Sequence, residues 1–151
     1  MAFVRVFLVY LVSVVVMAAL GVIAQSLFVL AGLSGVGADI NLTPALSMLV
    51  DDLMGLAPIY AVIIALGFLI ALPVAALAGR LLPLPRGLVF AVAGAVCIAV
   101  MLTLMKEVFF GVQLIAGARS LAGFCAQAMV GGLAGLVFVA LTPAPRTSKP
   151  A

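Results

Sequence analysis

Apolar residues occupy most of the chain in four long runs that few polar residues interrupt. The runs cover about residues 3–33, 58–79, 87–105 and 120–141. A bilayer core about 30 Å thick is crossed by roughly 20 helical residues, so each run is long enough for one transmembrane helix. The pattern therefore predicts an all-α integral membrane protein, a four-transmembrane-helix bundle that forms one domain over residues 1–141.

A shorter amphipathic segment precedes the second run. Between residues 45 and 56, polar or small residues recur every four positions on an otherwise apolar stretch; they are Ser47, Asp51 and Gly55. Pro58 disfavours helical geometry at the residue before it, which predicts a break or kink at that point. We therefore expect residues 45–56 to form a short interfacial helix before the second span.

Composition agrees with a membrane location. The chain is 68% hydrophobic and 7% charged, whereas an ordinary soluble domain is about half apolar and about a quarter charged. One water-soluble globule cannot bury that much apolar surface. Because the runs account for nearly the whole chain, little mass remains for a domain outside the membrane.

The few charges are sorted by side of the predicted bundle. The side of the two termini carries five bases, Arg5, Arg80, Arg86, Arg146 and Lys149, and the other side carries two, Lys106 and Arg119. Because basic residues favour the cytoplasmic side, both termini are predicted to be cytoplasmic. The four acids, Asp39, Asp51, Asp52 and Glu107, then lie on the outer face. We expect the inner membrane of a bacterium, with a basic, proline-containing, disordered tail at 142–151.

The residue inventory argues against catalysis. The chain has no histidine, the commonest metal ligand, so we expect no metal, no cofactor and no enzyme activity. Cys97 and Cys125 lie in different apolar runs and are interpreted as inert core thiols. The adjacent carboxylates Asp51 and Asp52 are the best candidates for chemistry. However, neighbouring helical residues point about 100° apart, which favours a solvated polar face over a shared site.

Small residues form two stripes at four-residue spacing in the third and fourth runs. The fourth run carries Arg119, Gly123, Gln127, Gly131 and Gly135, and the third carries Gly87, Ala91, Ala95, Ala99, Thr103 and Glu107. Such spacing allows close approach of helix backbones in lipid. We expect the stripes to face each other in a hairpin, with Glu107 near Arg119 at the outer end. One stripe is alternatively a docking face for the helix of another subunit.

Gln25 and Gln127 are the amides placed inside the runs. An amide in hydrocarbon requires a hydrogen-bond partner, so each is interpreted as an interhelical clamp, with a ligand contact as the alternative.

The function that follows is a non-catalytic accessory or assembly subunit of a larger inner-membrane complex, docked through small-residue helix faces. Its expected partners are membrane lipids and other membrane protein subunits, and no nucleic acid. The main alternative is a small homo-oligomeric transporter or lipid-handling protein, with Gln25, Pro73 and Gln127 along a path. A membrane enzyme that uses Asp51 or Asp52 is a third possibility.

Overall fold

A computed structural model describes residues 2–35, 37, 41–108 and 115–142. These residues form four α-helices and one short 3₁₀ helix, with no strand among them. The helices are α1 (Ala2–Gly35), α2 (Leu42–Leu81), α3 (Arg86–Val108) and α4 (Leu121–Leu141), and the 3₁₀ helix is Ala116–Arg119. Of the predicted tail at 142–151 only Thr142 is among the described residues, and the acid Asp39 lies outside them.

All four of these α-helices are long and apolar enough to cross a membrane. At about 1.5 Å per residue, α3 and α4 are about 35 and 32 Å long, which matches a bilayer core of about 30 Å. The prediction of four spanning helices is therefore confirmed. By the same measure α1 and α2 are about 51 and 60 Å long, well beyond the thickness of the core.

The segment at 45–56 does not form a separate helix in the structure. Instead, α2 continues through both Pro58 and Pro73 as one helix of 40 residues. A proline removes one backbone donor, but packing against neighbouring helices preserves the helical path around it. Leu53, Leu56 and Ala57 pack against the core just before Pro58, so the helix is supported where the sequence predicted a break.

The core lies between the four helices and is formed by large apolar side chains. Its most buried members are Met17, Val22, Ile64, Phe68, Ile98 and Leu102. Helices α3 and α4 form the most extensive contact of the bundle, and α1 packs against both α2 and α4.

The basic end of the bundle is the end that carries Arg5, Arg80 and Arg86. There the guanidinium of Arg86 donates a hydrogen bond to the carbonyl oxygen of Thr142 (3.2 Å) and lies over the Phe90 ring. The Phe90 ring in turn stacks on Phe138, with centroids 5.6 Å apart. These contacts hold the first turn of α3 against the end of α4. The opposite end of the bundle is called the far end below.

Candidate functional site

A buried hydrogen-bond clamp joins three helices in the half of the bundle nearer the far end. The Gln127 side chain of α4 is 1% exposed. Its amide nitrogen donates to the carbonyl oxygen of Gly21 in α1 (2.7 Å), and its amide oxygen accepts from the Tyr60 hydroxyl of α2 (3.2 Å). The position of Gln127 therefore agrees with the interhelical clamp that the sequence predicts.

Gly21 makes this clamp possible because it has no side chain. A Cβ atom at Gly21 would lie 2.8 Å from Cε1 of Tyr60 and 3.1 Å from Oε1 of Gln127. Any other residue would therefore push against the Tyr60 ring and crowd the Gln127 amide that donates to the Gly21 carbonyl. Sequence reasoning identified Gln127 but missed Gly21 and Tyr60, because nothing in a single sequence pairs residues on three different helices.

Gln25 lies one turn along α1 from Gly21 and has a different environment. It is 8% exposed, and its backbone packs against Gly117 of the 3₁₀ helix, where a Cβ would lie 2.6 Å from the Cα of Gln25. No other residue in the described part of the chain forms a hydrogen bond with its side-chain amide. The contact at Gln25 is thus made by its backbone and differs from the predicted clamp.

A second polar contact joins α1 and α2 about one turn further toward the far end. The hydroxyl of Ser26, which is fully buried, lies 2.7 Å from Oδ2 of Asp52 and 3.0 Å from the carbonyl oxygen of Val22. One hydroxyl hydrogen serves two acceptors there. Asp52 is partly buried against α1, whereas the neighbouring Asp51 is exposed. The two carboxylates therefore diverge, and no shared acid–base site forms.

Replacement of Ser26 tests the strength of this contact. We expect Ser26→Ala to destabilise the bundle by about 1 kcal/mol more than Ser13→Ala does, the scale of a hydrogen bond between membrane helices. Ser13 is the matched control because it is equally buried but donates only to the carbonyl oxygen of Val9 in its own helix. Unfolding of both variants by SDS, followed by circular dichroism, measures the difference. Equal destabilisation would show that Asp52 adds nothing.

The α4 stripe packs mainly against a row of α3 that lies one residue away from the predicted α3 stripe. A Cβ at Gly131 would lie 2.5 Å from Cγ1 of Ile98 and 2.6 Å from the carbonyl oxygen of Gly94. A Cβ at Gly135 would meet the carbonyl oxygen of Phe90. The centre of the contact on α3 is therefore the row of buried residues Phe90, Gly94, Ile98 and Leu102.

The predicted α3 stripe lies beside this contact row. Ala91 and Ala95 are partly buried against Gly132, and Thr103 is exposed. At the other end of the α4 stripe, Gly123 packs against the carbonyl oxygen of Gly117, and the Ser120 hydroxyl caps α4 by accepting from the Gly123 amide (3.0 Å). Gly123, Gly131 and Gly135 are all buried within the chain.

The predicted outer charges lie at the far end. Glu107 is exposed near the end of α3, and Arg119 is exposed at the end of the 3₁₀ helix. Asp51 borders a shallow hollow on α2 together with Leu46 and Val50. None of these side chains enters the clamp formed by Gly21, Tyr60 and Gln127.

The residues proposed for a transport path have different surroundings in the described part of the chain. Gln127 is enclosed by the clamp, while Pro73 borders a groove between α1, α2 and α4 that Gln25 and Gln127 do not line. The hydrogen bonds of Gln127 and Ser26 thus hold helices together, and those side-chain nitrogen and oxygen atoms of the described residues that are fully enclosed all have hydrogen-bond partners.

Together, the four apolar helices and their internal hydrogen bonds define the class of this molecule as an all-helical membrane protein. No family model, no curated protein and no solved structure matches the chain.

Proposed function

We propose that the chain is a non-catalytic accessory or assembly subunit of a larger membrane complex, in a bacterial inner membrane with both termini in the cytoplasm. The observation that carries the proposal is the projecting arm, defined as residues 27–35 of α1 and 42–55 of α2. No described residue of the arm is fully buried. This part of the chain exceeds what is needed to cross a bilayer.

The length of the arm follows from the position of the clamp. Gln127 lies six residues from the start of α4, Gly21 lies fourteen from the end of α1, and Tyr60 lies eighteen from the start of α2. At about 1.5 Å per residue these distances are about 9, 21 and 27 Å along the helix axes. Measured from the clamp, α1 and α2 therefore extend about 12 and 18 Å further than α4.

The arm carries an exposed apolar row on α2. Its members are spaced four residues apart and share one helix face; they are Leu42, Leu46, Val50 and Met54, with exposed fractions of 75, 53, 52 and 76%. Contiguous apolar surface of this kind marks protein–protein or membrane contacts, and outside the bilayer core it favours a protein partner. We place the docking surface on this row, because the small-residue faces that the sequence favoured are buried between α3 and α4.

A partner that fits this row is a larger membrane protein with an apolar groove outside its spans. Laying one face of a helix into such a groove is a recurrent mode of recognition, read as anchors at i, i+4 and i+8. The buried side chains of Ser26, Tyr60 and Gln127 are engaged in internal contacts, which supports an assembly role over a chemical one.

Purification from native membranes in mild detergent or nanodiscs tests the proposal. We expect a larger membrane protein to co-purify in fixed stoichiometry, and Val50→Glu to reduce its recovery at least fivefold, because a carboxylate in an apolar contact is desolvated without a partner. Gly55→Glu is the matched control, since Gly55 is exposed with open space around it and lies about 140° from Val50 on the helix. Recovery of the chain only as a free monomer or homo-oligomer would contradict the proposal.

A further inference from the structure

A groove lies on the surface of the bundle near the basic end, between α1, α2 and α4. Its volume is about 350 Å³, within the range of roughly 300–1,000 Å³ found for small-ligand pockets. Buried side chains form its floor, namely Phe68, Leu72 and Phe138. Exposed residues form its walls, among them Phe3 and Phe7 on α1 and Pro73 and Ala76 on α2. The groove is therefore open to the surrounding bilayer.

The lining of the groove is apolar or aromatic throughout. Its one hydroxyl, on Tyr10, is engaged as a donor to the carbonyl oxygen of Ala65 at 2.6 Å, so the groove offers a polar ligand no free hydrogen-bond donor. A polar molecule would lose its hydration without compensation there. A hydrocarbon chain loses nothing and gains dispersion contacts along both walls.

A cation lies one turn beyond the groove on α2. Arg80 follows Ala76 by four residues and Pro73 by seven, so it continues their face of α2 toward the basic end. Its side chain is exposed and forms no hydrogen bond or ion pair with another described residue. Arg86, by contrast, is already bonded to Thr142. A free guanidinium at this position has the geometry to bind a phosphate through two N–H donors.

We propose that the groove is a binding site for one phospholipid. An acyl chain lies between α1, α2 and α4, and the phosphate contacts the guanidinium of Arg80. Arg80, and not Arg5, is the base on the side of the groove. Arg5 is two residues from both Phe3 and Phe7, so its side chain points to the opposite side of α1. This site requires no protein partner and goes beyond the proposed role in assembly.

Native mass spectrometry of the purified chain with added phosphatidylglycerol tests the site. We expect one lipid to remain bound at activation energies that remove the others. Ala76→Phe fills the groove and reduces this retention at least fivefold, whereas Ala140→Phe, an exposed position outside the groove, leaves it unchanged. Arg80→Gln reduces retention severalfold, and Arg5→Gln does not.

A second readout uses the tyrosines, since the chain has two and no tryptophan. Tyr10 lines the groove, whereas Tyr60 is buried and does not line it. A brominated acyl chain in the groove therefore quenches the emission of Tyr10, and Ala76→Phe weakens this quenching. Full retention and full quenching in Ala76→Phe would overturn the placement of the acyl chain. Equal loss of retention in Arg5→Gln and Arg80→Gln would overturn the headgroup contact in favour of general charge attraction. Unchanged melting temperatures establish that each variant is folded.

Discussion

Gly131→Leu is expected to separate α3 from α4 and to cost about 3 kcal/mol or more of the free energy of unfolding, at or above the upper end of overpacking effects. Even a Cβ atom at this position would lie 2.6 Å from the backbone carbonyl oxygen of Gly94 and 2.5 Å from Ile98. Backbone atoms cannot move aside without shifting a whole helix. Unfolding by SDS, followed by circular dichroism, measures the loss.

Graded substitutions separate this clash from helix propensity. Gly131→Ala and Gly94→Ala add one carbon each at the contact, and we expect both to destabilise the bundle. Gly55→Ala is the control, because a Cβ atom at Gly55 would meet open space. Alanine also favours a helix by about 1 kcal/mol over glycine. We expect Gly55→Ala to be neutral or stabilising. Unchanged stability of Gly131→Leu would mean that α3 and α4 do not approach each other as closely as described.

The second large effect is expected at the clamp. Gln127→Leu removes the acceptor of the buried Tyr60 hydroxyl and leaves that hydroxyl without a partner, which costs about 1–3 kcal/mol. Tyr60→Phe leaves the Gln127 oxygen without its donor but keeps the bond to Gly21, so its effect is smaller. The double variant isolates the coupling between the two side chains.

The double-mutant cycle gives a sharp outcome. If Tyr60 and Gln127 interact as the 3.2 Å contact indicates, Gln127→Leu costs less in a Tyr60→Phe background than in the native chain, because no hydroxyl is left unpaired. Additive effects would show that the hydroxyl finds another partner when Gln127 is absent. Thermal unfolding measures the stability of the native chain, the two single variants and the double variant. The same comparison is made in detergent and in nanodiscs.

The sequence predicts the helices well, since the length and hydropathy of a spanning segment are local properties. Its main error is the separate helix expected at 45–56, because α2 continues through Pro58 as one helix. The preference of proline for helix ends is known mostly from soluble helices. In this bundle α1 packs against α2 and supports it across Pro58. That support comes from a neighbouring helix and is not encoded in the local pattern around Pro58.

The pattern of small residues does not predict which residues of α3 face α4. Ala91 and Ala95 form the more regular stripe, yet Gly94 lies directly against the Gly131 backbone, because only glycine admits a backbone carbonyl so near. Ile98 then packs over Gly131. The contact is thus a large side chain over a glycine, one residue away from the predicted row. Among the polar residues, Gln127 was predictable as a clamp, whereas its partners Gly21 and Tyr60 depend on the tertiary arrangement.

The clamp also has a consequence for the order in which the chain is assembled. Synthesis delivers α1 and α2 first, and Gln127 enters the bilayer only with the last helix. Until then the hydroxyl of Tyr60 lacks the partner it has in the finished bundle. A chain that stops before α4 therefore retains a tyrosine hydroxyl in hydrocarbon without the partner that the finished bundle provides, which is energetically unfavourable.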